Sequence, residues 1–427
     1  MLNRKQHPEY KTIKHIDIPV PEKISSTNGS SIFIFNTGTQ DIIKIEVIFD
    51  AGSWYQEKPF VSAGVNEMLL EGTKMLNAQQ IAEKLDFYGA FMQPEPTKDH
   101  GSITLYTLKK YFPQTIELLA ESIKNPVFPE YELGIYKNKR KQQFIIEMEK
   151  VTSLARREFN ARLFGEKHPY GYIAEAEDYD ELTQADIVSF HKKHYHPGTC
   201  KIIISGKIDD ADIKLTEKHF GQNDWIKQTD KPKLQPDYPI NSQNEYIVEK
   251  KDVTQTAIRI GKRIINKEHP DFHKLNVVNT ILGGYFGSRL MKVIREEKGY
   301  TYGINSVIVS LANAAFFVIV SEVGADVARD AVHDIEHEIK ILREKPVTKG
   351  ELTIVKNYML GDILRSFDGP LEISSAYRSI IDIDLNPGYF HQAINAIKEI
   401  TPEEIMHLAN MYLNETSFIK TFAGKYE

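Results

Sequence analysis

The chain has 427 residues, of which 41% are hydrophobic and 26% are charged, and its net charge is −6. These values are ordinary for a globular protein, and the length favours two domains over a single core. The negative charge gives no reason to expect a nucleic-acid partner. The single cysteine, Cys200, excludes internal disulfides and cysteine-based metal clusters. The N-terminal sequence lacks the apolar core of a signal peptide, and residues 314–320 form an apolar run too short for a membrane span, so we expect a cytoplasmic protein.

Predicted strands and helices alternate along the first half of the chain. A strand over residues 43–49 precedes a helix over residues 65–70, and residues 102–108 form part of a predicted hairpin. Farther along, Thr183 and Asp186 have the spacing of a capping box, which predicts that a helix begins there. This mixture of hairpins and helices favours an α+β arrangement.

The second half repeats this order. Residues 257–261 read as a strand, residues 275–282 as a helix, and residues 300–320 as a hairpin. Thr401 and Glu404 repeat the capping box about 218 residues after the first one, with a proline between them at the first helical position. We therefore expect two copies of one structural unit.

A direct sequence match supports this duplication. The segment Glu-Leu-Gly-Ile-Tyr-Lys-Asn at 132–138 recurs as Glu-Leu-Thr-Ile-Val-Lys-Asn at 351–357. We predict two homologous domains, 1–220 and 246–427, each a mainly antiparallel β-sheet packed with helices. Residues 221–245 are rich in Gln, Asp, Asn, Lys and Pro, which is typical of a linker.

An arginine and a tyrosine lie seven residues apart at a predicted helix-to-strand junction, Arg295 and Tyr302. The helix has an apolar stripe, and Gly299 stands where a left-handed C-terminal cap is expected. Tyr300 and Tyr302 then alternate along a strand, which predicts that they share one face. A glycine-rich segment before this helix is predicted to be a loop; it contains Gly283, Gly284 and Gly287.

This junction resembles the C-terminal-domain signature of the pitrilysin/insulinase metallopeptidases, which include the mitochondrial processing peptidases. The resemblance covers nearly the whole chain and implies the two-domain half-clamshell of that family. It also implies that Arg295 and Tyr302 are the pair that reaches a zinc site. Taken alone, the motif equally suits a surface arginine at a helix end and a tyrosine packed in a sheet.

The resemblance also locates the family's zinc helix, whose pattern is H-x-x-E-H. Ala63 and Glu67 stand at its two ligand positions and Asn66 at its general base, counting back from a Gly-Thr pair. Alanine offers no lone pair, and an amide cannot take a proton from water at neutral pH. The family's third ligand is implied at Glu147 or Glu149, and two carboxylates alone make a poor zinc site. We predict no metal in this chain.

Two histidine groups are weaker candidates for metal binding. His333, Glu336 and His337 match H-x-x-E-H literally, but the apolar stripe of their helix leaves them on a polar flank, and the helix corresponds to a different one in the first copy. We therefore favour a polar helix face. Another group lies near a helix end, where cationic side chains suit the helix dipole, and we assign it no function: His191, His194 and His196.

Certain bacterial members of the family split the active site between two chains. The resemblance therefore implies a zinc-less subunit of a heterodimeric metalloendopeptidase, with zinc on a homologous partner and an extended peptide as substrate. Arg295 and Tyr302 would be donors to the developing oxyanion in that partner's site. Gly283, Gly284 and Gly287 would border the substrate chamber, or serve a tight turn.

Two alternatives remain open. The first is a non-catalytic peptide-binding or scaffold subunit, like the alpha subunit of the processing peptidase. The second, which is less favoured, is an independent zinc peptidase that uses His333 and His337. We also expect that the chain without its partner can form a homodimer.

Overall fold

The described residues form two sheets covered by helices. This computed structural model describes residues 13, 15–223, 225, 238, 243–414 and 417–426. The predicted α+β class is confirmed, because each half of the chain contributes one mainly antiparallel sheet. Most of the predicted linker, residues 221–245, lies outside the described residues.

The first half of the chain forms a six-stranded sheet in the described structure. Across the sheet the order is β1-β2-β6-β3-β5-β4, with β2 and β6 parallel and all other neighbours antiparallel. Both faces of the central strand are covered, so β3 is buried from its second residue onward and reads as a continuous apolar run interrupted by two charges. The strands are β1 (Glu22–Ser25), β2 (Ser31–Asn36), β3 (Ile42–Phe49), β4 (Phe91–Pro96), β5 (Gly101–Leu108) and β6 (Cys200–Gly206).

The second half forms a five-stranded sheet with the same plan. Its order is β7-β11-β8-β10-β9, with β7 and β11 parallel and the other neighbours antiparallel. Counting outward from the parallel pair, β9 occupies the edge position that β4 occupies in the first sheet, which agrees with the predicted duplication. The strands are β7 (Glu245–Glu249), β8 (Gln255–Arg263), β9 (Thr301–Ser310), β10 (Ala315–Gly324) and β11 (Ile419–Gly424).

Helices connect the strands in a matching order in both halves. Thr183 and Thr401 both form the predicted capping boxes, each accepting a hydrogen bond from the backbone N–H three residues later. In the first half the helices are α1 (Val61–Glu67), α2 (Ala78–Tyr88), α3 (Phe112–Lys124), α4 (Glu130–Met148), α5 (Val151–Phe164), α6 (Gln184–His194) and α7 (Asp210–Phe220). In the second half they are α8 (Phe272–Asn279), α9 (Ala328–Glu344), α10 (Lys349–Ser366), α11 (Pro370–Ile381), α12 (Tyr389–Glu399) and α13 (Pro402–Tyr412).

One helix of the first half packs on the sheet of the second half. α5 lies against β8 and β11, where Ala155 shares a buried cluster with Ala257 and Ala423. Farther along α5, the ring of Phe159 is fully buried and its centroid lies 6.0 Å from that of Phe316 in β10. α5 therefore buries part of its surface on the second sheet.

The corresponding helix of the second half makes the reciprocal contact. α11 packs on β2 and β6, and the fully buried ring of Tyr377 lies 5.0 Å from that of Phe35. Arg378 reaches the buried Glu46 of β3, where burial raises the pKa of the carboxyl and the guanidinium opposes that rise. Each predicted domain thus packs one of its helices on the sheet of the other domain, and the ion pair between Arg378 and Glu46 joins the two. We call α5 and α11 the exchanged helices.

Candidate functional site

The helix before β9 carries Arg295 in its last turn. This helix runs through a π-helical stretch, Met291–Glu297, and Leu290 and Ile294 are fully buried, which confirms the predicted apolar stripe. Gly299 has a φ of 68°, so the predicted left-handed cap is also confirmed. The backbone N–H of Tyr300 donates to the carbonyl of Ile294 at 3.0 Å and closes the turn.

The guanidinium of Arg295 remains available for a ligand. Its carbon lies 4.8 Å from the ring centroid of Phe286, a cation–π contact that holds the side chain without neutralising its charge. Within the described parts of the chain Arg295 has no ion pair and no side-chain hydrogen bond. Phe286 is itself 63% exposed, so the charge lies at the surface of the molecule.

Tyr302 projects from the start of the edge strand β9. Its side chain is 93% exposed, and its hydroxyl bonds to no other described residue. The prediction that Tyr300 and Tyr302 share a strand face is wrong, because β9 begins at Thr301 and Tyr300 packs against the core. A register shift between β9 and β10 breaks the alternation here, so Tyr302 is exposed whereas Ile304 is buried.

The predicted glycine-rich loop is shorter than the sequence suggests. Gly283 and Gly284 belong to a π-helical turn, Thr280–Gly284, that continues α8. A Cβ on Gly283 would lie 2.6 Å from Oγ of Ser306, so this glycine permits the close approach of the turn to β9. Gly284 and Gly287 are exposed. Peptide binding by these glycines stays a prediction.

The predicted degenerate zinc helix corresponds to α1, and the residue predicted at its general-base position is a buried amide. Asn66 is fully buried; its Nδ2 donates to the carbonyl of Ser102 at 3.0 Å and lies 3.2 Å from the hydroxyl of Tyr195. These contacts tie α1 to β5 and to the end of α6. Ala63, one turn earlier, contributes no ligand atom.

At the second ligand position, Glu67 is held by α4. It forms an ion pair with Arg140, and Tyr136 donates a hydrogen bond to it; burial first, and the charge of Glu67 second, raise the pKa of that tyrosine. Glu147 lies about two helical turns beyond Arg140 and is exposed, where Ser153 donates to it at 3.2 Å. The structure therefore brings Arg140, not Glu147, to Glu67. The i, i+4 spacing of Tyr136 and Arg140 is the sequence signal that could have identified this pair.

The donors at α1 do not fit a catalytic zinc ion. Such sites normally have three protein ligands including histidine. This position offers a methyl group, an amide whose nitrogen is engaged but whose buried oxygen has no hydrogen-bond partner among the described residues, and a carboxylate paired with a cation. The guanidinium of Arg140 would also repel a divalent ion. Throughout the described ranges, no group of three or more His, Cys, Asp or Glu side chains is arranged to hold a metal.

The edge strand next to α1 is unsuited to adding a peptide strand. β4 contains Pro94 and Pro96, which have no amide hydrogen and occur in sheets where the nitrogen faces away from the ladder. The outer edge of β4 therefore lacks two donors. Its Glu95 also accepts a hydrogen bond from Arg378 at 3.1 Å, which ties this edge to the second half.

The histidines are not arranged as metal sites. Burial lowers the pKa of both His191 and His194 to about 4, so these two side chains do not supply the positive charge expected from them at this helix end; Lys192 and Lys193 do. His196 instead accepts a hydrogen bond from the N–H of Gly198. His333 and His337 lie exposed on the polar flank of α9, as predicted, with parallel rings 6.5 Å apart. Glu336, between them, pairs with Lys420.

A structural role is found for the loop at residues 168–171. Tyr170 is 2% exposed and donates to the carboxylate of Asp99. The same carboxylate accepts the N–H of Ala312 at 3.0 Å, so this loop anchors the turn between β9 and β10. No described helix is long and apolar enough to cross a membrane.

Both halves of the chain match models of known protein domains. Residues 32–166 match the family model described as insulinase (peptidase family M16), and residues 181–359 match the one described as the peptidase M16 inactive domain. An uncharacterized zinc protease of Bacillus subtilis is 23% identical over 354 residues, covering 81% of this chain and 84% of that protein. A non-peptidase homolog of Helicobacter pylori is 24% identical over 361 residues, with 82% of each covered.

A solved structure has the same fold. The crystal structure of a peptidase M16 inactive domain from Pseudomonas fluorescens superposes with a TM-score of 0.85. The match covers 95% of this chain and 98% of that one, at 23% sequence identity. The similarity therefore extends over both sheets and their helices.

Proposed function

We propose that this chain, which belongs to peptidase family M16 and matches the model of its inactive domain over residues 181–359, is the zinc-less, completing subunit of a heterodimeric zinc metalloendopeptidase. A homologous partner would carry the zinc, and Arg295 and Tyr302 of this chain would enter the partner's site. One observation carries the proposal. Arg295 and Tyr302 lack polar partners among the described residues, whereas Nδ2 of Asn66 donates a hydrogen bond within the fold and Oε1 of Glu67 pairs with a guanidinium.

The chemistry of the Arg295 and Tyr302 side chains suits this role. Zinc on the partner would supply Lewis acidity and an activated water when bound. As water adds to the peptide carbonyl, negative charge develops on its oxygen. Arg295 offers fixed N–H donors and a permanent charge, and Tyr302 offers a phenolic O–H. Both would stabilise that oxygen.

The peptide substrate would be held by the partner subunit. The β4 edge of this chain lacks the outward amide hydrogens of Pro94 and Pro96, which strand addition requires. The residues of α1 also do not fit a catalytic zinc ion that could act on a peptide bound nearby. The exposed phenol of Tyr302 can contact a peptide bound on another chain because nothing in the described structure covers it.

A non-catalytic peptide-binding or scaffold subunit is the second candidate. The exposed segment that contains Gly284, Phe286 and Gly287 favours it, because an aromatic ring flanked by accessible backbone can bind a peptide without chemistry. In that case Arg295 and Tyr302 would affect peptide affinity and leave the cleavage step unchanged.

Reconstitution separates the two candidates. The chain is mixed with a homologue that carries H-x-x-E-H, and cleavage of a fluorogenic peptide is followed. Arg295→Ala and Tyr302→Phe are each expected to lower kcat by about 10²–10³-fold with little change in KM, as for the loss of one oxyanion donor. Sedimentation of each mixture shows whether the pair still assembles.

Matched substitutions on other helices provide the controls. Tyr131→Phe on α4 and Arg365→Ala on α10 change exposed residues of the same types, and both should leave cleavage unaltered. If neither Arg295→Ala nor Tyr302→Phe alters kcat in an assembled pair, the completing role is wrong.

A further inference from the structure

Tyr302 stands at a β-bulge in the edge strand. Thr301 pairs with Val323 of β10 and Ile304 pairs with Ser321, so two residues, Tyr302 and Gly303, lie opposite a single residue of β10. Side chains in a regular strand alternate between the two faces of the sheet. One extra residue shifts this alternation, so the residues before the bulge point to the opposite face from the one that regular alternation predicts. The bulge therefore decides where Tyr302 points.

The exposures on both sides of the bulge show its effect. Ile304 and Ser306 are each 3% exposed and face the helices that cover this sheet. By strict alternation Tyr302 would face the same way and be buried with them. Instead it is 93% exposed. An unbulged β9 would direct the phenol into the core.

Two hydroxyl groups close the bulge. Oγ1 of Thr301 accepts the N–H of Gly303 at 3.0 Å and lies 2.7 Å from the carbonyl oxygen of Glu322. Oγ of Ser321 donates to the carbonyl of Gly303 at 3.0 Å and lies 3.2 Å from Oγ1 of Thr301. These bonds satisfy backbone groups that a bulge removes from the ladder.

The equivalent strand of the first half lacks this feature. β4 pairs with β5 in unbroken register from Phe91–Tyr106 to Pro96–Gly101. The bulge is therefore not a requirement of the shared fold. It occurs where a polar side chain leaves the sheet.

We propose that Thr301 and Ser321 are positioning residues that hold the bulge and so present Tyr302 to the partner's site. Neither hydroxyl touches the substrate; each acts through the backbone at Gly303. The catalytic consequence rests on the proposed function, but the orientation of residue 302 does not. The two can be tested separately.

A thiol at position 302 reports its orientation without any partner. Cys200 is 4% exposed and burial raises the pKa of its thiol, so in Tyr302→Cys the new thiol is the one that reacts with a maleimide. Adding Thr301→Val and Ser321→Ala should slow labelling about tenfold, the population shift expected from losing about two net hydrogen bonds. Thr301→Ser keeps a hydroxyl and should label at the original rate.

Ser306→Ala is the matched control for labelling. It removes a buried hydroxyl from the same strand outside the bulge and should leave the labelling rate of Tyr302→Cys unchanged. Unchanged labelling in the Thr301→Val, Ser321→Ala background would overturn the inference.

Activity of the reconstituted pair provides the second arm. Ser321→Ala should lower kcat with KM unchanged, and combining it with Tyr302→Phe should cause no further loss, since both act through one phenol. Full additivity of the two losses would overturn the positioning role. If labelling slows but Tyr302→Phe does not affect cleavage, the orientation stands and the proposed function fails.

Discussion

The two halves of this chain share one plan but treat the same positions differently. Each half has a sheet with a parallel pair near one edge, a long central helix and a capped helix before the last strand. In the first half Asn66 and Glu67 are tied down by neighbours, and the edge strand β4 contains two prolines. In the second half Tyr302 is exposed on an edge strand without proline, and Arg295 lies in the last turn of the helix that precedes this strand.

This difference shows how two copies of one fold can use polar side chains in different ways. In the first half, polar groups at the predicted zinc-motif positions hold helices together, since the guanidinium of Arg140 on α4 pairs with Glu67 on α1. In the second half, a bulge and a cation–π contact hold two polar side chains at the surface. The scaffold is the same, and the local contacts determine what each half can do.

The largest effects are expected at the exchanged helices. Tyr377→Ala on α11 and Phe159→Ala on α5 each remove a fully buried ring that packs on the opposite sheet, and each should lower the free energy of unfolding by about 3–5 kcal/mol. Chemical denaturation measures both. Tyr131→Ala, on an exposed face, is the control and should cost less than about 0.5 kcal/mol.

The exchange also predicts one cooperative transition for the whole chain. Two separate unfolding transitions would contradict this dependence between the halves. So would a lower free energy of unfolding in Phe159→Ala without a comparable change in Tyr377→Ala.

A smaller effect is expected from acid. Burial lowers the pKa of His168, His191 and His194 in the first half to about 4, and that of His273 in the second. Between the ordinary value of 6.5 and pH 4 the unfolded chain binds protons that the folded chain does not. Stability from these groups is therefore present above pH 6.5 and is lost as the pH falls towards 4.

His194→Phe tests this linkage while keeping a ring between Tyr55 and Phe190. Urea denaturation at several pH values measures the free energy of unfolding. On acidification this free energy should fall by about 1–3 kcal/mol less in the variant than in the parent. His333→Gln changes an exposed histidine and should follow the parent curve. Parallel curves for His194→Phe and the parent would contradict the prediction.

The smallest effects are expected at the two matching helix caps. Thr183→Ala and Thr401→Ala each remove a side-chain acceptor from a capping box and should cost about 1 kcal/mol. Denaturation of the two variants side by side compares the halves directly. A difference greater than about 1 kcal/mol would show that the duplicated positions no longer have equivalent surroundings.

Much of the fold and part of the site were predictable from the sequence. The α+β class, both capping boxes, the left-handed Gly299 and the apolar stripe before Arg295 depend on neighbours a few residues away, and periodicity along the chain records such neighbours. The chemical unsuitability of Ala63 and Asn66 for zinc likewise follows from residue type alone.

The partners of Glu67, the neutral state of His194, the exchange of α5 and α11 and the direction of Tyr302 were decided by tertiary structure. Each depends on contacts between segments that are distant in sequence, and burial or register can reverse what a local pattern predicts. The sequence by itself determined which side chains are present for chemistry. The packing of distant segments determined which of these side chains remain accessible, because the rest are buried or bound to partners within the chain.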